Sequence, residues 1–209
     1  MCFLAKITNK KAFTEEMFNE CWRINHDGMW MLIQNKDGTA RIYKNMNKEE
    51  SLKEYIAVQN DEKVSTIIIH FRMWTGWGVN IDNVHPFYIT KWIVLFHNWI
   101  NSDYKPTATE CDTALLAKEL WKIYKWPFDS FINNQVIKSA LHSTYNKYII
   151  ATTNSSIIFN ENLWHWSEWN WYSNYNYRTY DNFYSNYNYN YNYVAPTKKE
   201  EEKTTILFE

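Results

Sequence analysis

Apolar and polar positions alternate along this chain with two periods, and the switches between them mark out its elements. Phe3, Leu4, Ala5 and Ile7 open it as a short strand. Phe13, Met17, Phe18, Cys21 and Trp22 then recur at helical spacing behind Thr14-Glu15-Glu16, a hydroxyl cap with an acidic first turn, which makes Cys21 a core residue. Asn25-His26-Asp27-Gly28 closes that helix with a turn in which Gly28 suits positive φ. Strands predicted over 30–34 and 39–44 flank the hairpin signal Asn35-Lys36-Asp37-Gly38. Asn47, with Glu50 three residues on, starts a helix that runs through about Val58.

The stretch 64–69, rich in β-branched residues, reads as a buried strand, and at His70 its character changes. His70-Phe71-Arg72 is followed by Thr75, Gly76, Gly78, Asn80, Asp82, Asn83, His85 and Pro86. Beyond Pro86, the apolar runs 87–89 and 92–96 predict adjacent strands, the second leading into His97-Asn98-Trp99. A helix is predicted within 107–124, with Leu116, Leu120 and Ile123 on one face, and another over 128–141. Residues 148–152 and 156–159 read as a hairpin, and 164–172 hold one last strand. From 174 to 193 Tyr and Asn alternate without aliphatics, and a charge run covers 198–203. The expectation is an α+β domain over 1–175 and a disordered, low-complexity tail over 176–209.

Composition narrows the function classes. A chain of 209 residues is long enough for one domain with a sizeable core. A formal net charge of -1 gives no electrostatic reason to expect nucleic acid or an acidic membrane surface as partner. The Tyr/Asn stretch carries a single Arg, so a base-stacking role is set aside as well. No apolar run is long enough to span a bilayer, and Lys6, Lys10 and Lys11 break the pattern of a signal peptide. Cys2, Cys21 and Cys111 are an odd set without CxxC spacing, which argues for a reducing compartment, the cytoplasm by default.

Three places carry candidate chemistry. A strand that ends in Arg72 and opens into a Gly-containing polar loop aims a cation and several backbone N–H groups at one point, which suits a carboxylate ligand. An ordinary surface turn with a solvated Arg is the alternative. Cys2 becomes the N-terminus if the initiator Met is removed; it then carries a thiol and a free α-amine on one residue, and the amine can serve as a local base. A small apolar residue at a strand start is the plainer account. At the third place Asn98 offers a side-chain N–H to a developing oxyanion, while His97 is most simply a satisfied core histidine. Asp112, beside Cys111 and Thr113, suits a helix cap or a ligand's ammonium group equally well. A metal site built from His70, His85 and His97 matches no ligand spacing.

In order, Met1-Cys2, Asn25-His26-Asp27-Gly28, His70-Phe71-Arg72 with Thr75 and Gly78, Asn83-Val84-His85-Pro86, His97-Asn98 and Asp112-Thr113 form a series. Over residues 2–175 this resembles the class II glutamine amidotransferase domain, one of the N-terminal nucleophile hydrolases, and most of all its short phage-type forms. The resemblance implies a four-layer αββα sandwich and no cofactor or metal. It implies hydrolysis of the side-chain amide of L-glutamine to glutamate and ammonia through a thioester on Cys2. Arg72 would grip the substrate α-carboxylate and Asp112 its α-ammonium. Asn98 and the backbone N–H of Trp99 would form the oxyanion hole, and Thr75 and Gly78 would line the pocket. Ammonia would pass to a separate acceptor synthetase, in the cytoplasm or, for a viral chain, the host cytoplasm.

Three departures bear on that expectation. Trp99 stands where the family has Gly, Gly76 where it has His, and Trp74 where it has a small residue. They leave Cys2, Arg72 and Asp112 in place while altering one pocket wall. Two rivals follow: an N-terminal-Cys amidase or acylase of the same fold, its pocket reshaped by Trp74, Trp77 and Trp99, or a catalytically degenerate binding module with the Tyr/Asn tail as its adhesive element. A paired Arg72 and Asp112 favour a free amino acid over an acylase substrate.

Overall fold

Local signals set the first elements. The computed structural model describes residues 2–73, 85–107, 110–124, 127–142 and 145–178, with the backbone of Lys203–Phe208. Strand β1 (Phe3–Ile7) leads to α1 (Glu15–Ile24), where Thr14 Oγ1 accepts the Met17 N–H at 3.3 Å and so meets one of the open donors of the first turn. The hairpin β2 (Met29–Asn35) and β3 (Ala40–Asn45) follows, then α2 (Lys48–Asn60), capped by Asn47 Oδ1 on the Glu50 N–H at 3.0 Å. Next come β4 (Val64–Phe71), β5 (Phe87–Thr90) and β6 (Ile93–Asn98). Helices α3 (Asp112–Ile123), α4 (Phe128–Asn133) and α5 (Gln135–His142) precede β7 (Lys147–Ala151) and β8 (Ser156–Phe159). The strands β9 (His165–Ser167), β10 (Asn170–Tyr172) and β11 (Lys203–Phe208) complete the set. Among the described residues no helix is long and apolar enough to cross a membrane.

The chain is α+β, with two antiparallel sheets and five helices among the described residues. One sheet has seven strands in the order β11-β3-β2-β4-β1-β10-β9, the other four in the order β5-β6-β7-β8. In β1 and β4 both faces are buried, which is why residues 67–69 are continuously apolar instead of alternating. Phe3, Ala5 and Ile7 of β1, with Ile67, Ile69 and Phe71 of β4, pack against Phe18, Cys21 and Trp22 of α1 and Tyr55 and Val58 of α2. The alternate residues Leu4, Leu32, Ile42 and Ile68 meet Val94, Phe96, Ile149 and Ala151 of the smaller sheet. On that sheet's other face, Leu95, Tyr148 and Ile150 pack with Leu116 and Leu120 of α3, Phe131 of α4 and Ile137 of α5.

Several expectations need correction. The helix expected over 128–141 is two, because Asn134 adopts an extended conformation (ψ 127) and its Oδ1 accepts the Val136 N–H at 2.9 Å, restarting the chain as a new helix. A short amide side chain competes with the backbone in this way. Helix α3 starts at Asp112, as the Cys111-Asp112-Thr113 run leads one to expect, but its last residue Ile123 is exposed and does not share the buried face of Leu116 and Leu120. The single strand expected in 164–172 is a hairpin, turned by Glu168 and Trp169 at φ 49 and 67.

The tail differs most. Tyr177 is buried, and its ring stacks on Tyr172 at 4.2 Å and lies 6.1 Å from Phe3. A tyrosine carries enough aromatic surface to join a core without aliphatic neighbours. Further on, Lys203–Phe208 is a strand paired with β3 from Lys203↔Asn45 to Phe208↔Ala40, not disordered tail. Its Thr-Thr-Ile-Leu-Phe composition favours a pleated strand and covers an otherwise open edge.

Gly28 and Gly38 both hold positive φ, at +114 and +88, but a Cβ on Gly28 would sit 2.7 Å from the Trp30 ring whereas one on Gly38 meets nothing within 4 Å. Gly38→Ala should therefore cost about 1 kcal/mol, the left-handed penalty alone. Gly28→Ala should cost a further ~1–3 kcal/mol from overpacking. Urea unfolding of the two variants measures the difference.

Candidate active site

Cys2 lies immediately before β1, in the middle of the large sheet, where Phe3 pairs with Phe71 of β4. The continuation of β4 meets the thiol: the Met73 N–H donates to Sγ at 3.4 Å, and the thiol faces the Met73 carbonyl at 3.6 Å. The Cys2 carbonyl accepts from Asn174 Nδ2 at 2.7 Å. Burial raises the thiol's pKa, opposed by the Met73 N–H, the chain's α-amino group and Arg72, and reinforced by Asp27. On balance the site favours the protonated, neutral thiol.

Arg72 is buried one residue past β4, its N–H on the Gly28 carbonyl at 3.0 Å and its carbonyl accepting from the Asp27 N–H at 3.2 Å. These two bonds extend the pairing of β2 and β4 into the turn before β2 and bring Asp27 beside Arg72. Burial lowers the guanidinium pKa, while Cys2, Cys111 and Asp27 raise it. A buried guanidinium remains a cation and favours an anion next to it. Asp27 and Cys111 were not among the sequence candidates. In the sequence Asp27 stood in the turn before Gly28 and in the series of the resemblance, without a role; its place beside Arg72 follows from strand order.

Asn98 ends β6 and is buried, with Nδ2 at 2.6 Å from Ser173 Oγ, while its Oδ1 has no hydrogen-bond partner among the described residues. The same Ser173 Oγ accepts the Leu4 N–H at 2.8 Å, so one hydroxyl joins β1 to the end of β6. Trp99 holds φ 120, a region that strains a non-glycine residue by about 1–3 kcal/mol. Its ring is half exposed, and the Lys147 ammonium lies 5.6 Å from it and 5.0 Å from the Trp164 ring. Lys147 is itself buried, which lowers its pKa.

His97 is a satisfied core histidine, Nδ1 on Thr113 Oγ1 at 2.8 Å and Nε2 on Asn146 Oδ1 at 2.9 Å. Asp112 is the first residue of α3; its Oδ2 accepts the Asn101 N–H at 2.7 Å and its Oδ1 the Thr113 N–H at 2.8 Å. Its helix-start role is therefore plain, and its neighbour Cys111 is close enough to Arg72 for their charges to interact. The structure thus brings Cys2 and Arg72 together and ties Asn98 to β1 through Ser173. Thr75 and Gly78, with Trp74, Gly76 and Trp77, lie outside the described residues.

No family model matches this chain, and no curated protein does. The site has to be read from its own chemistry. Among the described residues it offers a thiol, a buried cation, and a buried amide next to a backbone held at positive φ.

Behind it lies a set of buried imidazoles. The His70 and His85 rings are 4.3 Å apart, and among the described residues His85 Nε2 has no hydrogen-bond partner. Burial, with the Arg72 and His97 charges, lowers the His70 pKa from 6.5 to about 3. Burial and the His70, His97, Arg72 and Lys44 charges hold His85 well below its usual value. For His97 burial also lowers it, against Asp112 and Asn146. The unfolded chain therefore binds protons below pH 6.5 that the folded chain refuses, so stability is full above that pH and falls as the pH drops through the window. Each such histidine should add a slope of up to about 1.4 kcal/mol per pH unit between roughly pH 6.5 and 5. Urea unfolding at several pH values should show this, and His70→Leu should flatten the profile; an unchanged slope in that variant would count against the assignment.

Proposed function

We propose that this chain hydrolyses the side-chain amide of L-glutamine, in the manner of the class II glutamine amidotransferase domain it resembles, on the αββα sandwich of the N-terminal nucleophile hydrolases. The succession of core clusters supports the fold reading, since helices, large sheet, small sheet and helices follow one another. The observation that carries the functional reading is the meeting of Cys2 with buried Arg72 at paired strand ends, with Asn98 tethered to the same strand start through Ser173.

With Met1 removed, the α-amine of Cys2 takes the thiol proton, directly or through one water, and Sγ attacks the side-chain carboxamide carbon. Charge develops on the amide oxygen, where Asn98 and the Trp99 N–H supply donors. The C–N bond then breaks, the leaving nitrogen takes the proton held by the α-amine, and ammonia departs from a γ-glutamyl thioester. Water adds to the thioester carbonyl, the C–S bond breaks, and glutamate and the thiol are restored. Arg72 holds the α-carboxylate in a planar fork, and Asp112 takes the α-ammonium. The positive φ of Trp99 fits this reading, because the wide indole keeps the backbone conformation that glycine would adopt freely. A separate acceptor enzyme in the same cytoplasm would consume the ammonia.

Intact mass before and after treatment with 6-diazo-5-oxo-L-norleucine tests the proposal. The expected result is a mass without Met1 and one adduct per chain, absent in Cys2→Ala. Retained Met1 with no adduct would sink it and leave a binding module as the better account. Arg72→Lys should lose ~1.5–3 kcal/mol of charged hydrogen bonding, about 10- to 100-fold in kcat/KM for glutamine, mainly through KM.

A further inference from the structure

Ser173 follows β10 and is fully buried, its N–H on the Leu4 carbonyl at 2.9 Å. Its Oγ has two neighbours, the Leu4 N–H at 2.8 Å and the Asn98 amide nitrogen at 2.6 Å. Both are donors. With the Asn98 nitrogen on that side, Asn98 Oδ1 is buried without a partner among the described residues. The Ser173 proton likewise has no acceptor among its hydrogen-bonded neighbours. Leaving either buried group unmet is costly, because water satisfies both in the unfolded chain. The two ends of an amide fill nearly the same space, so turning the group over leaves the packing unchanged. Turned over, the Ser173 O–H donates to Asn98 Oδ1 while Oγ still accepts from Leu4, and both unmet groups are satisfied. The end left without a partner is then Nδ2, a donor.

We infer that Ser173 is a positioning residue that holds Asn98 by its carbonyl oxygen and so presents the Asn98 amide N–H2 to the reacting oxygen. This rests on the glutamine-hydrolysing reading above. A hydroxyl suits the position because it accepts from one strand and donates to another at once. An alanine there leaves the amide free to turn its oxygen toward the developing negative charge. Asn174, whose side chain holds the Cys2 carbonyl, continues the same segment, so nucleophile and oxyanion donor are set by consecutive residues.

Nuclear Overhauser contacts in the isotope-labelled full chain report the orientation without reference to activity. The Asn98 Nδ2 protons should show no strong contact to the Leu4 amide proton or the Ser173 β protons; strong contacts would overturn the inference. In glutamine hydrolysis, Ser173→Ala should lower kcat by up to about 100-fold, the cost of losing one such donor, with little change in KM. Ser173→Thr keeps the hydroxyl and should restore most of the rate, which a general packing defect would not allow. An unchanged kcat in Ser173→Ala would also overturn it. A wild-type chain that releases no ammonia would instead refute the functional reading, while the Overhauser contacts still decide the orientation of Asn98.

Discussion

The pairing of β1 between β4 and β10 holds the molecule together, because β1 is buried on both faces and each face is committed to a different partner. Phe3, Ala5 and Ile7 belong to the helix-covered core, and Leu4 belongs to the core between the sheets. A slip of one residue would exchange the two sets and drive three side chains into space shaped for one. The same register puts Cys2 against the backbone of Met73 and Leu4 against Ser173. Core packing thereby determines where the thiol lies, with no loop left to adjust.

Polar groups collect at that end of the sheets at some cost to stability. Arg72, Asp27, His70, Asn98 and Ser173 are all buried there, and Trp99 adds a strained backbone. A structure chosen for stability alone would fill these positions with apolar side chains. Large aromatic clusters elsewhere offset the cost. Phe18, for example, has Tyr55 at 5.3 Å and Phe71 at 5.0 Å, so the polar end is backed by a rigid wall.

Charge at the site is arranged in opposition. Burial keeps the Cys2 proton on, whereas Arg72 and the α-amino group favour its loss. A thiol held in its protonated form is a weaker nucleophile than the thiolate. Asp27 works against the thiolate and with the guanidinium, so one buried carboxylate both steadies Arg72 and restrains Cys2.

Signals that act within a few residues were legible in the sequence. The Thr14 and Asn47 caps, the Gly28 turn, the hairpin at Gly38 and the strand ending at Phe71 depend on neighbours one to four positions away, and those travel with the chain. Arg72 and Asn98 could be singled out because each follows or ends an apolar strand, and Cys2 because it follows the initiator Met. Other features needed the tertiary structure. The turn carrying Asp27 reaches Arg72 only because β2 lies next to β4, and Ser173 meets Asn98 only because β10 lies beside β1 at the end where β6 arrives. The break at Asn134 depends on an amide preferring its own backbone to the helix, and the burial of Tyr177 depends on Phe3 and Tyr172 lying beneath it. Local pattern specifies which element a segment forms; which elements become neighbours is decided by burying all their apolar faces together, and that decides which polar residues meet at the strand ends.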